Sequence, residues 1–313
     1  MDINSIKNVM VVGAGVMGHG IAQVFAGAGY KVQLVDRDSA VLETARKRIN
    51  GNLKTLVTEG RVKADQVPAL MDRISFATDL AIAGKTADLV IEAVSEVPEL
   101  KKEIFAKLDK ACSANTIFAT NTSGLDVFSL VEISHPERLV ATHFFAPAHL
   151  IPLVEVCPGP LTDPKIVATV AALMAKVGKE PVVLKQFVQS FIVNRIQNYI
   201  GMAVFEILKN GWATPAEIDL AVKSSLGVRM PVVGVVQLLD FTGLDLVNDI
   251  SKSHGFTIPM IEELVGKGHL GAKTGKGMYD YQGRSEEEIT AKRDSRLIKV
   301  ADMLKKLKTQ EPI

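Results

Sequence analysis

A glycine-rich turn near the start of the chain constrains the fold more than any other feature. Residues 13–18 read Gly-Ala-Gly-Val-Met-Gly and match the pattern G-x-G-x-x-G. A strand-like apolar run at 8–12 precedes the turn, and a helix-like stretch of small residues follows it at 16–29. The next run, 31–36, alternates like a strand and ends in Asp36. This order predicts a βαβ unit whose two strands lie in one sheet.

The turn itself predicts a binding site for a dinucleotide. Gly13 permits the tight bend, Gly15 lets backbone amides approach a pyrophosphate, and Gly18 lets the helix lie close to the strand. Val16 and Met17 lie between these glycines, at the positive end of the predicted helix, and complete the phosphate-binding loop.

The acid that ends the second strand indicates which dinucleotide is bound. Asp36 would accept hydrogen bonds from a ribose 2′-OH and would repel a 2′-phosphate, which favours NAD over NADP. Arg37 beside it weakens this preference. The same unit explains why residues 9–30 carry no charge although the run is long enough for a membrane helix. A buried strand followed by a buried helix has that composition, so we predict no membrane association.

Charge and cysteine content exclude several other classes of protein. The 313 residues include 36 Lys plus Arg and 35 Asp plus Glu, so the net charge of +1 gives no basic field for a nucleic acid partner. The two cysteines, Cys112 and Cys157, form neither a disulfide framework nor a Cys-x-x-Cys pair for zinc. We therefore predict no metal site, lone thiols in a reducing compartment, and a cytoplasmic location.

Apolar periodicity divides the chain into two parts. In the first, strands alternate with helices, which predicts an α/β, Rossmann-like, doubly wound parallel sheet covered on both faces. Its further strands are predicted at 74–77, 87–94, 116–120, 138–145, 153–156 and 181–184, and its further helices at 39–59, 99–111 and 164–177. Later residues predict only helices, including 190–210 and 294–307. We therefore predict an NAD-binding domain at 1–187 and an all-α domain at 188–313, which borders the substrate cleft.

Hydride transfer to NAD from an alcohol requires a base for the hydroxyl proton. His143 lies near the carboxyl end of the predicted strand 138–145, where doubly wound sheets bind their ligands. Glu155 lies in the apolar strand 153–156, where an unpaired carboxylate is costly, so we predict that it orients His143. The other histidines are interpreted as solvated or structurally bonded; they are His19, His135, His149, His254 and His269.

Two further polar residues are candidates for contacts with the substrate. Ser123 follows the predicted strand 116–120 and would bond a substrate oxygen, act as a helix cap or turn residue, or do both. Asn194 begins the long helix of the second part and would reach substrate across the cleft, or would make only a local contact at the helix start.

Taken together, these motifs resemble the 3-hydroxyacyl-CoA dehydrogenase family over nearly the whole chain. The matching segments are VVGAGVMGHGIAQVFAGAGYKVQLVD (11–36), DLVIEAVSEVPELKKEIFAKLD (88–109), NTSG (121–124), HFFAP (143–147), PLVEV (152–156), FIVNR (191–195), GLD (243–245) and KTGKGMYDY (273–281).

The resemblance implies the same roles for His143 and Glu155, with Ser123 and Asn194 holding the 3-oxygen of the substrate. It also implies a set of further cofactor contacts, with Glu96 and Lys101 near the NAD ribose and nicotinamide and Lys273 at the cofactor's edge. Members of the family are usually homodimers joined through the helical domain, which suits the apolar stretch 232–239.

Three departures from the family pattern concern the substrate. Ala146 replaces the Asn that usually follows HFF; Asn52 and Glu59 stand where CoA-binding members often carry Ser and Lys; Pro152 replaces a frequent Lys. The first hypothesis is an NAD-dependent (S)-3-hydroxyacyl-CoA dehydrogenase for short chains such as 3-hydroxybutyryl-CoA, in fatty acid metabolism. The second is a dehydrogenase of a free β-hydroxy acid, similar to carnitine or gulonate dehydrogenases. The third is a non-catalytic NAD-binding protein.

Overall fold

The N-terminal part of the chain is built around one eight-stranded sheet in the computed structural model, which describes residues 3–309. The strands are β1 Asn8–Val12, β2 Lys31–Val35, β3 Ile74–Ala77, β4 Leu89–Glu92, β5 Ile117–Thr120, β6 Leu139–Phe144, β7 Leu153–Pro158 and β8 Glu180–Val183. They lie in the order β3-β2-β1-β4-β5-β6-β7-β8, and β1 to β6 are all parallel. The strand order reverses between β1 and β4, the crevice where such sheets bind ligands.

The sheet is covered on both faces, as predicted. In β1, Val9 and Val11 belong to one hydrophobic cluster, whereas Met10 and Val12 belong to another. The helices that flank the sheet are α1 Gly18–Gly27, α2 Ser39–Thr58, α3 Gln66–Met71, α4 Leu80–Gly84, α5 Pro98–Ala111, α6 Val127–Leu130 and α7 Pro164–Lys176. Successive side chains of a strand point to opposite faces, so a run without polar residues needs cover on both sides.

One strand contradicts the prediction of a parallel sheet. β7 pairs antiparallel with β6, and β8 follows the direction of β7. Residues 145–152 join β6 to β7 without a helix. A parallel pair requires a crossover of a dozen or more residues, so this short connection can only reverse the chain.

The remaining helices belong mainly to a second unit. Close contacts divide the chain after Tyr199, inside α8, whereas the sequence places the boundary after residue 187. These helices are α8 Val193–Lys209, α9 Pro215–Ser224, α10 Leu226–Val233, α11 Gln237–Thr242, α12 Leu244–Ser253, α13 Pro259–Gly266 and α14 Glu286–Lys306. α14 begins eight residues before the predicted start at 294. Within residues 3–309, no helix is both long and apolar enough to cross a bilayer.

Both cysteines carry free thiols. Cys157 is buried and Cys112 is half-buried. Burial raises the pKa of Cys157 to about 12, with a further contribution from Glu155, and raises the pKa of Cys112 to about 11. Neither group is therefore a thiolate near neutral pH.

Candidate active site

A buried histidine–carboxylate pair lies at the carboxyl end of β6. His143 and Glu155 stand directly opposite each other in the antiparallel pair β6–β7. The His143 Nδ1 lies 2.8 Å from Glu155 Oε2, and both residues are buried. Because a carboxylate only accepts hydrogen bonds, Nδ1 carries the proton and Nε2 presents a lone pair. The twelve-residue spacing thus brings together the two residues that the sequence predicted as a pair.

The second oxygen of Glu155 is held by backbone groups. The amides of Ile192 and Val193, at the start of α8, donate to Glu155 Oε1 at 2.9 Å each. Ser190 and Phe191 just before them adopt left-handed backbone angles, with φ of 66° and 50°. The Phe191 ring stacks on the His143 imidazole with centroids 5.2 Å apart. The turn at 190–193 therefore holds the Glu155 carboxylate through backbone amides and contacts the face of the His143 imidazole through the Phe191 ring.

The two predicted substrate-holding residues lie beside the imidazole. Asn194 Nδ2 is 3.5 Å from His143 Nε2 and 3.4 Å from the carbonyl oxygen of Ser123. Ser123 is exposed, and it is not a helix cap, because the side chain of Asp126 caps α6. Asn194 lies in the first unit, with His143 and Ser123, and not in the second. One amide group thus connects the base to the segment that carries the serine.

Behind Ser123 lies a buried cluster of charges. The Lys101 ammonium pairs with Glu92, at the end of β4, and with Glu96. Glu96 Oε1 accepts the amide of Ser123 at 2.9 Å. Burial raises the pKa of Glu96, but hydrogen bonds from Thr122, Lys101 and Ser123 together with the Lys101 charge hold it below its usual range. Glu96 is therefore ionised near neutral pH.

The glycine-rich turn borders a cleft of about 1100 Å³, which Gly13, Gly15 and Asp36 line in part. Gly13 has a φ of +98°, and a Cβ there would come within 2.6 Å of the Ala93 carbonyl oxygen. A Cβ on Gly18 would approach the Gly13 carbonyl oxygen to 1.7 Å. Space around Gly15 is open, which leaves the backbone accessible from the cleft. The turn thus has the tight bend, the close helix and the bare backbone that a pyrophosphate requires.

Asp36 lies where the dinucleotide prediction requires an acid. Its Oδ2 accepts the amide of Ala14 at 2.9 Å, and its Oδ1 accepts the amide of Asp38 at 3.1 Å. The carboxylate is therefore fixed beside the turn and still lines the cleft. Arg37 lines the same cleft. These residues fit the adenosine half of NAD.

The structure places Lys273 in the second unit. Its ammonium bonds both carboxylate oxygens of Asp245, at 2.7 and 2.5 Å. Asp245 belongs to the GLD motif and Lys273 to the KTGKGMYDY motif, so the two motifs meet each other. A role at the cofactor's edge stays a prediction for this residue.

The residues that depart from the family pattern lie in different local environments. Asn52 Nδ2 donates to Gln23 Oε1 at 3.0 Å and lies 3.4 Å from His149 Nδ1. Glu59 is exposed at the end of the helix, and Ala146 is exposed after β6. Burial lowers the pKa of His149 below its ordinary value, and the charges of His19 and Lys179 add to this effect.

The two parts of the chain match two family models. Residues 8–187 match the NAD-binding domain of 3-hydroxyacyl-CoA dehydrogenases, and residues 191–281 match the C-terminal domain of the same enzymes. The chain belongs to the 3-hydroxyacyl-CoA dehydrogenase family. It is therefore an NAD-dependent oxidoreductase. The family resemblance and the Rossmann-like fold with a helical C-terminal domain are confirmed.

Individual members of the family act on different substrates. A mitochondrial hydroxyacyl-coenzyme A dehydrogenase from Rattus norvegicus is 36% identical, over 88% of this chain and 92% of its own. A 5-formyl-3-hydroxy-2-methylpyridine 4-carboxylate 5-dehydrogenase from Mesorhizobium japonicum is 31% identical, over 96% of this chain and 98% of its own. Among solved structures, a 3-hydroxyacyl-CoA dehydrogenase from Archaeoglobus fulgidus is 29% identical with a TM-score of 0.79. The match covers 95% of this chain and 99% of the other. Family membership alone therefore leaves the substrate open.

Sequence reasoning missed two features of the site. Glu92 is as buried as Glu155 and also lies in an apolar strand, so the rule that singled out Glu155 applies to it equally. The amides of Ile192 and Val193 left no such signal, because every non-proline residue carries the same donor.

Proposed function

We propose that this enzyme oxidises (S)-3-hydroxyacyl-CoA substrates of short chain, such as 3-hydroxybutyryl-CoA, to 3-ketoacyl-CoA. The observation that carries the proposal is the pair formed by His143 and Glu155, buried at the carboxyl end of β6 with a 2.8 Å bond. An imidazole whose Nε2 presents a lone pair, beside the crevice of a dinucleotide-binding sheet, suits removal of a hydroxyl proton.

The proton follows a path that the tautomer defines. His143 Nε2 accepts the proton of the 3-hydroxyl, while Nδ1 keeps its bond to Glu155. The imidazolium formed in this way is stabilised by the Glu155 carboxylate, whose other oxygen accepts two backbone amides. Bound NAD would supply the acceptor for the hydride that leaves the substrate carbon. In the reverse direction, protonated His143 returns the proton to the 3-keto oxygen.

Ser123 and Asn194 position the 3-oxygen in this scheme. The Asn194 amide lies on the Nε2 side of the imidazole and also contacts the backbone carbonyl of Ser123, whose side chain is exposed. Both groups can donate hydrogen bonds to an oxygen that gains negative charge as its proton leaves.

The cofactor is held chiefly by the turn and by Asp36. The proposed contacts are Gly13, Gly15, Val16, Met17, Gly18, Asp36, Glu96, Lys101, Ser123 and Lys273. The cleft and the open backbone at Gly15 support the first group.

A second candidate is oxidation of a β-hydroxy acid that carries no CoA. Asn52 stands where CoA-binding members often carry Ser, and its side chain donates to Gln23 and contacts His149. Glu59 places a negative charge where those members often carry Lys, and a carboxylate repels phosphates. The Mesorhizobium relative, a pyridine carboxylate dehydrogenase, aligns with 96% of the chain.

The discriminating experiment measures NADH formation with (S)-3-hydroxybutyryl-CoA, free 3-hydroxybutyrate and carnitine in parallel. We expect turnover of the thioester. Turnover of a free acid alone would reject the first candidate and support the second. If none of the three reacts while NADH still binds, other β-hydroxy compounds become the candidate substrates, and the non-catalytic hypothesis gains support.

We further propose a homodimer joined through the helical part of the chain. Every residue of α8 is at least partly exposed, and its large apolar side chains include Tyr199, Met202 and Phe205. Seventeen residues of helix with no buried side chain and a clear apolar face suit contact with another protein surface. A cytoplasmic location and a role in fatty acid metabolism stay predictions from the sequence.

A further inference from the structure

A small pocket in the second unit is lined by basic side chains. It has a volume of about 100 Å³ and is formed by residues of α10, α11, α14 and the segment before α14. The positive charges come from Arg284, Lys292, Arg293 and Arg296. The rest of the lining is apolar or aromatic apart from one glutamine, and no acidic residue of the described chain lines the pocket. Positive charge is therefore concentrated over an apolar surface.

The wall of the pocket is fixed by aromatic side chains. The Arg293 guanidinium lies 4.7 Å from the centroid of the Phe241 ring, and the Arg293 side chain is only 26% exposed. Phe241 in turn packs edge-to-face on the buried Tyr281, with ring centroids 6.4 Å apart. The Tyr281 hydroxyl donates to the buried carboxylate of Asp240 at 3.1 Å. Arg293 is thus held in place before any ligand binds.

Most of the positive charge in the pocket is not compensated. Within residues 3–309, Lys292 and Arg296 make no ion pair and no hydrogen bond. Arg293 pairs with the adjacent Asp294 at 2.7 Å, whereas Glu288, one turn before Lys292, is occupied by the capping box at the start of α14. Arg296 lies four residues after Lys292 and three after Arg293, so three like charges are neighbours on one helix and repel each other. A bound anion would remove this repulsion.

The basic lining is an addition to the family's domain. The match to the C-terminal family model ends at residue 281, and all four basic residues follow it. A further basic residue, Arg229, lies on α10 one turn before Val233, which lines the pocket. Its Nε is buried without a hydrogen-bond partner in the part of the chain that the structure describes. Uncompensated donors therefore come from α10 as well as from α14.

We propose that this pocket binds a phosphoryl group, carried by inorganic phosphate or by a small phosphomonoester. Four positive charges against the one carboxylate of Asp294 leave an excess of three, which suits a dianion better than a single carboxylate. Guanidinium groups bind phosphate oxygens in pairs. The volume equals that of about three waters, so it admits a phosphoryl group and excludes a whole nucleotide. The proposal goes beyond the oxidation described above and does not depend on it.

Equilibrium dialysis of radiolabelled phosphate tests the site. The full chain is saturated with NADH, so that the glycine-rich turn is occupied, and NaCl keeps the ionic strength constant. We expect saturable binding of one phosphate per chain. Lys292→Gln/Arg296→Gln removes two charges that make no other bond, so the variant should fold, and its phosphate affinity should fall at least about tenfold. Lys305→Gln, at an exposed lysine of α14 outside the pocket, is the matched control and should keep the affinity.

Competition with glycerol 3-phosphate separates the two sources of the phosphoryl group. Displacement of the label would support a phosphomonoester whose remainder lies outside the pocket, and binding without displacement would support the free ion. The proposal is overturned if phosphate does not bind saturably, or if Lys305→Gln weakens binding as much as the double variant, because the effect would then be general screening. It is also overturned if the double variant binds phosphate normally. Neither measurement uses the oxidised substrate, so the outcome is independent of the proposed function.

Discussion

Glu155 illustrates at the residue scale how one carboxylate can set the state of a base. Its two oxygens serve different partners, the His143 imidazole and the amides at the start of α8. In Glu155→Gln, the side-chain NH2 would face either the imidazole or the amides, and both of these are donors. Either the His143 tautomer changes or an amide loses its partner, and the imidazolium loses its counter-charge.

We therefore expect Glu155→Gln to lower kcat by at least about tenfold while NADH affinity stays unchanged. Steady-state kinetics and a fluorescence titration of NADH check this expectation. A loss of NADH affinity with normal kcat would contradict the role assigned to the pair.

Asp36 sets the choice between NAD and NADP. Asp36→Asn keeps an oxygen that can accept the Ala14 amide, so the turn should keep its shape, but the negative charge is lost. A hydrogen bond to a charged group contributes about 1.5–3 kcal/mol, so the NAD-to-NADP affinity ratio should fall roughly tenfold or more. Titration with NADH and NADPH checks the ratio, and an unchanged ratio would exclude Asp36 as the ribose ligand.

The residues of the candidate site could be selected from the sequence only where a side chain stood in unexpected surroundings. Glu155 in an apolar strand and His143 at a strand end met that condition, and the structure brings them into contact. Glu92 met the same condition but has no histidine partner, and its lysine lies on a helix whose other charges face solvent. The amides of Ile192 and Val193 were unpredictable, since their function comes from backbone geometry alone.

At the scale of elements, strand positions followed closely from apolar runs, whereas strand direction did not. β1 and β3 have the predicted bounds, and β7 differs from its prediction by two residues at its end. Direction depends on the connection, and the short segment 145–152 contains no helix to carry the chain back across the sheet. This reversal is what places Glu155 opposite His143.

Helix α14 gives a test of local structure that is independent of catalysis. Ser285 and Glu288 form a capping box, in which each side chain accepts the backbone amide of the other residue. Ser285→Ala should lower the free energy of unfolding by about 1 kcal/mol without changing NADH affinity. Ser39→Ala is the control, because Asp38 caps α2 and Ser39 is exposed beside it. Chemical denaturation measures both variants, and equal effects would contradict the capping role.

At the scale of the whole molecule, the two units differ in how fully their helices are buried. Helices α1, α2 and α7 each bury several side chains against the sheet, whereas α8 and α9 bury none. The sequence predicted a helical second part but could not show which face each helix leaves uncovered. Large apolar side chains on such a face are exposed to water, and contact with a second copy of the chain would stabilise the protein by burying them.

A homodimer through this face makes a specific prediction. Phe205 lies on α8 with 72% of its surface exposed, and Phe205→Glu would place a charge in the interface. Sedimentation should give twice the 33.8 kDa mass of one chain for the unaltered protein and a single-chain mass for the variant. Leu161→Glu is the matched control, because Leu161 is an equally accessible apolar residue, 67% exposed, beside β7 in the first unit. A dimer that survives Phe205→Glu but not Leu161→Glu would move the interface to the sheet-containing unit, because only the disrupted surface can hold the two chains together.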